Sequence, residues 1–299
     1  MKKVAVIGAG PSGITAIKNF IDEGFDVTAF ERCDGVGGNW RFNDPSGHSS
    51  VFETTHIISS KYTSFYEDYP LPDDASDYPS HKELLSYFNG YAEHFNIKKN
   101  IKFGTEVLSC KQLPNGRWLL KYKHLDGNEE ITLEFDALVV CNGHHHVPRY
   151  PQYKGEFTGE FLHSHDYKRA APFENKRVLV IGGGNSACDV AVETSRISQE
   201  TSLSWRRGYH LVPKFMYGLP ADVFAKRSRW IPQFLRIPFM KFMLESYQGK
   251  NEDIGLPKVT NKMLATHPTV NSDLYNAIRH GKVKPRPDIE SFRENTVNF

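Results

Sequence analysis

An α/β fold with two Rossmann-like dinucleotide-binding domains follows from three features of this 299-residue chain. An apolar run enters a glycine turn at Gly8-Ala9-Gly10-Pro11-Ser12-Gly13. The same device returns at Gly182-Gly183-Gly184-Asn185-Ser186-Ala187, and three alternating strands lie between the two. Strand, glycine turn, helix and second strand within about 30 residues form the βαβ unit on which dinucleotides bind. Two copies agree with about two domains at roughly 150 residues each.

The elements follow in order. Residues 4–7 (VAVI) are apolar throughout, as in a parallel strand covered on both faces. A helix follows with Ile14, Ile17 and Ile21 on one stripe and a stop at Gly24. FDVTAFE forms the next strand and ends at Glu31. Residues 39–80 show little periodicity and many Asp, Pro, Ser and Tyr, the pattern of a long loop that is functional or mobile. A helix is expected from His81 to Phe95. Then TEVLSCKQL, RWLLKYKHL and EEITLEF, joined by Pro-Asn-Gly and Asp-Gly-Asn, read as a small antiparallel meander. DALVVC is a buried strand that runs into Asn142-Gly143. After a proline-spaced linker, RVLVI (177–181), a helix through Glu193 and the strand SLSW rebuild the first unit, ending at Arg206-Arg207.

A Gly-x-Gly-x-x-Gly turn lets the backbone approach a pyrophosphate and aims helix N–H groups at it. Gly8, Gly10 and Gly13 sit in the required strand–turn–helix context, with Glu31 placed for ribose hydroxyls. The second copy, Gly182, Gly184 and Ala187, meets no acid. Arg206 and Arg207 follow its second strand and suit a 2′-phosphate, hence NADP rather than NAD. Two nucleotide sites in one chain suggest a flavin that receives hydride from a nicotinamide.

Other classes fit less well. Net charge is +2, which gives no electrostatic reason to expect nucleic acid. Aromatics reach 13%, too many for a disordered chain. No apolar run approaches the roughly 18 residues of a spanning helix, and VAVI ends in Gly-Ala-Gly-Pro, unlike a signal peptide. The four cysteines, Cys33, Cys110, Cys141 and Cys188, form no Cys-x-x-Cys pair and fit a reduced cytoplasmic protein. Three consecutive histidines, His144 to His146, cannot easily converge on one metal ion, so no metal is expected. No Gly-x-Ser-x-Gly elbow supplies a serine nucleophile. The basic-aromatic stretch from Lys226 to Phe242 could lie on a membrane surface. Pro232 and Pro238 should interrupt any long amphipathic helix there, which favours a lid or packing element.

The segment Phe157-x-Gly159-x-x-x-His163-x-x-x-Tyr167, between the two glycine turns, matches the fingerprint of the flavin-containing monooxygenases, and the sequence closely resembles that family over essentially its whole length. Glu31 followed by Gly38, Asn39 and Trp40 resembles the family's FAD-ribose acid and its segment beside the flavin. Asn142-Gly143 resembles the end of an Ala-Thr-Gly turn. GNSACDVA, with Asn185 and Ser186, and Ser204-Trp-Arg206-Arg207 resemble the NADP turn and the 2′-phosphate contact.

The resemblance implies an NADP domain (156–283) inserted into a FAD domain (1–155, with a return at 284–299). His163 and Tyr167 would fix the interdomain linker. The implied reaction is NADPH-consuming oxygenation of a small amine or sulfide by O2 through a flavin C4a-hydroperoxide. Uncoupled NADPH oxidase activity yielding hydrogen peroxide, Baeyer–Villiger chemistry and silent nucleotide binding stand as alternatives, and association with a second copy stays open. Two departures stand out. Where the family places an asparagine near the oxygen site, this chain has Ile58, with His56 the nearest polar substitute. The family chain also normally continues past Phe299 to complete the FAD domain, so a truncated or split member, or a minimal one, is expected.

Overall fold

The apolar run becomes strand β1 (Lys3–Ile7), in which Val4, Ala5 and Val6 are fully buried. In the computed structural model, residues 1–263, 265 and 268–299 are described. They form an α/β chain of two compact units, Met1–Ile57 with Phe65–Pro148 and Ile58–Ser64 with Arg149–Phe299.

In the first unit, α1 (Pro11–Asp22) connects β1 to the parallel β2 (Asp26–Phe30), and α2 (His81–His94) follows the long loop. Ser80 starts α2 with a reciprocal capping box: its side chain accepts from Glu83 N–H while Glu83 Oε2 accepts from Ser80 N–H. Strands β3 (Ile101–Lys102), β4 (Thr105–Gln112), β5 (Trp118–His124), β6 (Glu130–Phe135) and β7 (Ala137–Val140) complete the unit. The sheet order is β3-β2-β1-β7, all parallel, and β4-β5-β6 is the expected antiparallel meander. Alternation along β1 assigns its faces. Val4 and Val6 pack with Ile14, Ile17, Leu84 and Tyr91 of the helices, while Ala5 packs with Leu120, Tyr122 and Phe135 of the meander.

In the second unit, β8 (Arg177–Ile181), α3 (Asn185–Thr194) and β9 (Glu200–Ser204) repeat the βαβ pattern. Beyond them come β10 (Leu211–Val212), β11 (Phe215–Met216), β12 (Leu219–Pro220), α4 (Ala221–Arg227) and α5 (Gln233–Gln248). Next are β13 (Thr269–Val270), α6 (Asp273–Arg279), β14 (Val283–Arg286), β15 (Ser291–Arg293) and β16 (Thr296–Asn298). The parallel sheet order is β14-β9-β8, over a core of Cys188, Ala191, Leu203, Trp205, Leu274 and Val283.

Residues 284–299 group with the second unit, where β14 extends the sheet beside β9 and bridges join Lys154 to Ser291 and Phe157 to Glu294. One expectation needs correction. Pro238 does not interrupt α5, which runs through it for 16 residues. Pro232 caps that helix, and the exposed Pro238 sits early enough that only one backbone bond is lost. α5 buries Leu244 alone, against Met216 and Met263, and leaves Phe234 and Phe242 exposed. Among the described residues, no helix is long and apolar enough to cross a membrane, and no group of three or more His, Cys, Asp and Glu could hold a metal ion.

Candidate nucleotide-binding sites

The first glycine turn lies where β1 ends between β2 and β7. Gly8 has φ 96°, a conformation that favours glycine, and a Cβ there would stand 2.5 Å from the Cys141 carbonyl oxygen. Gly13 solves a packing problem instead: a Cβ would come within 2.0 Å of the Gly8 carbonyl oxygen. Gly10 differs from both. Its added Cβ would meet only Gly38, Cα at 3.6 Å and N at 3.9 Å, which is ordinary contact, so the fold leaves room beside it. Gly10 is the N-cap of α1, Pro11 follows it, and no side chain caps that helix start. The turn is therefore a cradle of unclaimed space before a positive helix end, which fits a pyrophosphate.

Glu31 closes this turn. It is buried; Oε2 accepts from Ala9 N–H at 2.6 Å and Oε1 from Cys33 N–H at 2.8 Å. A carboxylate has about four lone-pair positions, so capacity remains for ribose hydroxyls. The segment after Gly38 is braced by its own polar groups. Asn39 Oδ1 accepts from Ser50 N–H and Oγ–H, and Trp40 packs against the helix-side core. Arg41 pairs with Asp34 and Asp44. Burial works against the Asp44 carboxylate, but hydrogen bonds from Ser46 and Arg41 hold its pKa below the usual value. Asn142 and Gly143 are exposed at the end of β7.

The second turn repeats the geometry. Gly182 has φ 125°, and Gly184 is the N-cap of α3, again with no side-chain cap and nothing within 4 Å of an added Cβ. Ser186 and both arginines are exposed, and the Arg207 guanidinium lies 5.3 Å over the Tyr209 ring. Ser204 is buried; its hydroxyl donates to the Pro287 carbonyl and its own carbonyl accepts from Gly182 N–H at 2.9 Å, so it joins β9 to this turn. Tyr167, also buried, donates to Glu193 Oε2 at 2.7 Å and ties the segment before β8 to α3. His163 Nδ1 accepts from His165 N–H at 3.0 Å.

His56 and Ile58 fall in different units. The His56 ring is exposed and engages the Thr54 carbonyl at 2.8 Å. Ile58 is 39% exposed and opens the Ile58–Ser64 segment. That segment is held to the second unit by Asp222, whose Oδ2 accepts from Ser60 N–H at 2.8 Å, Ser60 Oγ–H at 2.9 Å and Thr63 Oγ1–H.

Four residues, three at the second turn and α3 and one at the Ile58–Ser64 segment, were not foreseen. Thr269 and Asn271 bond to the second turn and to α3, and Asn185 Oδ1 accepts from Val270 N–H at 2.7 Å. Asp189, the α3 partner of Asn271, has its pKa raised to about 6 by burial. Asp222 is the fourth. No local spacing marks any of them, because their partners lie 82 to 162 residues away.

The sequence profile described as "FMO-like: Flavin-binding monooxygenase-like" matches residues 1–299. Flavin-containing monooxygenase 5 of Homo sapiens is 37% identical over 315 residues, covering 100% of this chain and 58% of that protein. "Dimethylaniline monooxygenase [N-oxide-forming] 2" of Mus musculus is 36% identical over 314 residues, with the same coverage. The chain thus spans just over half the length of these relatives. Among solved structures, S-allyl-L-cysteine S-oxygenase from Allium sativum superposes with a TM-score of 0.65 at 29% identity, over 69% of this chain and 51% of that one. With both glycine turns in place and the profile matched end to end, the chain belongs to the flavin-binding monooxygenase-like family.

Proposed function

We propose that the chain is the nucleotide-handling part of an FAD- and NADPH-dependent monooxygenase that uses O2 to oxygenate small amines or sulfides. The observation that carries this reading is the pair of open, uncapped glycine turns in one chain. It agrees with the cofactors of the family, FAD and NADPH. The printed names of the mouse and Allium relatives, an N-oxide former and an S-oxygenase, support the substrate class.

In this reading the first unit forms the FAD domain and the second receives NADPH. Backbone N–H groups of Gly10, Ser12 and Gly13 hold the FAD pyrophosphate, with Pro11 leaving no N–H of its own there, and Glu31 accepts from ribose hydroxyls. Gly38, Asn39, Trp40, Asn142 and Gly143 line the remainder of that site. Gly184, Asn185 and Ser186 hold the NADPH pyrophosphate, while Arg206 and Arg207 take the 2′-phosphate bidentately. Bound FAD supplies two-electron storage and dioxygen activation. The protein's part is positioning and exclusion of water, so no protein nucleophile is required. A second reading, peroxide production, draws on Ile58, a side chain that neither donates nor accepts hydrogen bonds.

The test is the absorbance spectrum of the purified protein before and after NADPH, followed by assay of a small sulfide. A flavin band that NADPH bleaches, with sulfoxide formed, supports the proposal. A colourless protein, or a flavin that NADPH leaves oxidised, overturns it.

A further inference from the structure

We infer that Thr269 and Asn271 are positioning residues that aim the backbone of the second glycine turn at the dinucleotide; the inference rests on reading that turn as the NADPH site. Residues 269–271 each send one polar group onto the turn or the helix behind it. Thr269 Oγ1 donates to the Gly183 carbonyl at 2.6 Å, a buried bond spanning 86 residues of sequence. Val270 N–H donates to Asn185 Oδ1 at 2.7 Å. Asn271 Nδ2 donates to Asp189 Oδ1 at 2.6 Å.

The peptide between Gly183 and Gly184 makes the first of these contacts consequential. The C=O and N–H of one trans peptide point in opposite directions. Thr269 therefore fixes not only the Gly183 carbonyl but also the Gly184 N–H, which is turned away from β13. Gly184 is exposed, and an added Cβ would meet nothing within 4 Å, so the turn is open at the residue that carries this N–H. A glycine-rich peptide would otherwise rotate freely, and a donor of undefined direction is a poor phosphate ligand.

The template is itself rigid. Thr269 is 2% exposed and Asn271 5% exposed. Their N–H groups bond to the His210 and Val212 carbonyls, pairing β13 with β10. Asn271 Oδ1 also accepts from Asp273 N–H and Leu274 N–H at the start of α6, so one amide joins the two helices. Its two ends satisfy groups that would otherwise be buried without partners.

The test is titration of the FAD-loaded protein with NADP+ by calorimetry. Thr269→Val keeps the shape and removes the hydroxyl. It should weaken NADP+ binding about tenfold, the loss expected when a buried carbonyl forfeits its donor. FAD content and the flavin reduction rate at saturating NADPH should not change, whereas Thr269→Ser should restore affinity. Wild-type affinity in Thr269→Val, or a serine variant as weak as the valine one, overturns the inference. A second measurement uses the unmodified protein, so it does not depend on a variant folding: NADP+ should slow hydrogen exchange at the Gly184 amide. An amide that NADP+ leaves unprotected overturns the inference while the NADPH reading survives. A wild-type protein that binds no NADP+ refutes that reading first.

Discussion

Replacing Asp189 by asparagine should stabilise the second unit at neutral pH, although it removes a charge that already has a hydrogen-bond partner. Burial dominates this carboxyl and raises its pKa from 3.8 to about 6. The nearby cation Lys214 and the Asn271 amide act against the shift, while Glu193 and Asp273 add to it. A difference of about two units corresponds to about 3 kcal/mol by which the folded chain prefers the protonated form. The carboxyl is partly buried and its bond from Asn271 is charge-assisted, so a realistic gain is about 1–2 kcal/mol. Asparagine imitates the neutral acid, and its Oδ1 still accepts from Asn271. The sign follows from linkage. Unfolded Asp189 releases its proton near pH 4 and folded Asp189 near pH 6, so the cost of ionisation is complete above pH 6. It falls as the pH drops between those values and is nearly gone at pH 4. Hydrogen exchange of the α3 amides, compared between variant and wild type at the same pH, reads this directly. At pH 7.5 the variant should exchange about 5–30-fold more slowly, with the advantage about halved at pH 5. Equal exchange at pH 7.5, or an advantage that does not change with pH, would refute the reasoning.

Gly10→Val should fold yet lose FAD, because a Cβ there makes only ordinary contact with the protein, at Gly38; wild-type flavin content in the purified variant counts against the cradle. Gly13→Ala should lose about 1–3 kcal/mol of stability, since its Cβ meets the Gly8 carbonyl oxygen at 2.0 Å; an unchanged melting temperature contradicts this. Arg206→Ala should weaken NADPH by about 10–100-fold and leave NADH nearly unaffected, which titration with the two cofactors checks. Ile58→Asn should lower the hydrogen peroxide formed per NADPH consumed with a sulfide present; tight coupling already in the wild type rules this out.

The parts of the fold visible in the sequence are those whose causes are local. The run at residues 4–7, the stripe of Ile14, Ile17 and Ile21, and the glycine turns each occupy one stretch of chain, and the structure places the expected elements there. The meander was legible because Pro-Asn-Gly and Asp-Gly-Asn turns join alternating strands. What escaped was non-local. β14 contains Pro285 and carries no apolar run, yet it pairs with β9 about 80 residues earlier in the chain. Residues 269–271 show only a polar stretch, and their meaning comes from Gly183, Asn185 and Asp189. Pro238 misled for an energetic reason: a penalty that breaks a marginal helix is absorbed by one of 16 residues.

The seven-residue segment that Asp222 holds at Ser60 and Thr63 also constrains how the chain is made. Ser60 leaves the ribosome 162 residues before the carboxylate that will hold it. At about 5–20 residues per second, that is a wait of about 8–30 s. During it, the stretches on either side of the segment can already dock, since Ile57 N–H bonds to the Pro79 carbonyl and Tyr66 N–H to the Tyr87 hydroxyl. The nascent protein therefore passes through a stage with an untethered loop on an otherwise finished sheet, and that loop carries a tryptic site at Lys61. Synthesis stalled before residue 222 should leave Lys61 cleaved faster than in the released chain, where Asp222 holds Ser60 and Thr63 on either side of it.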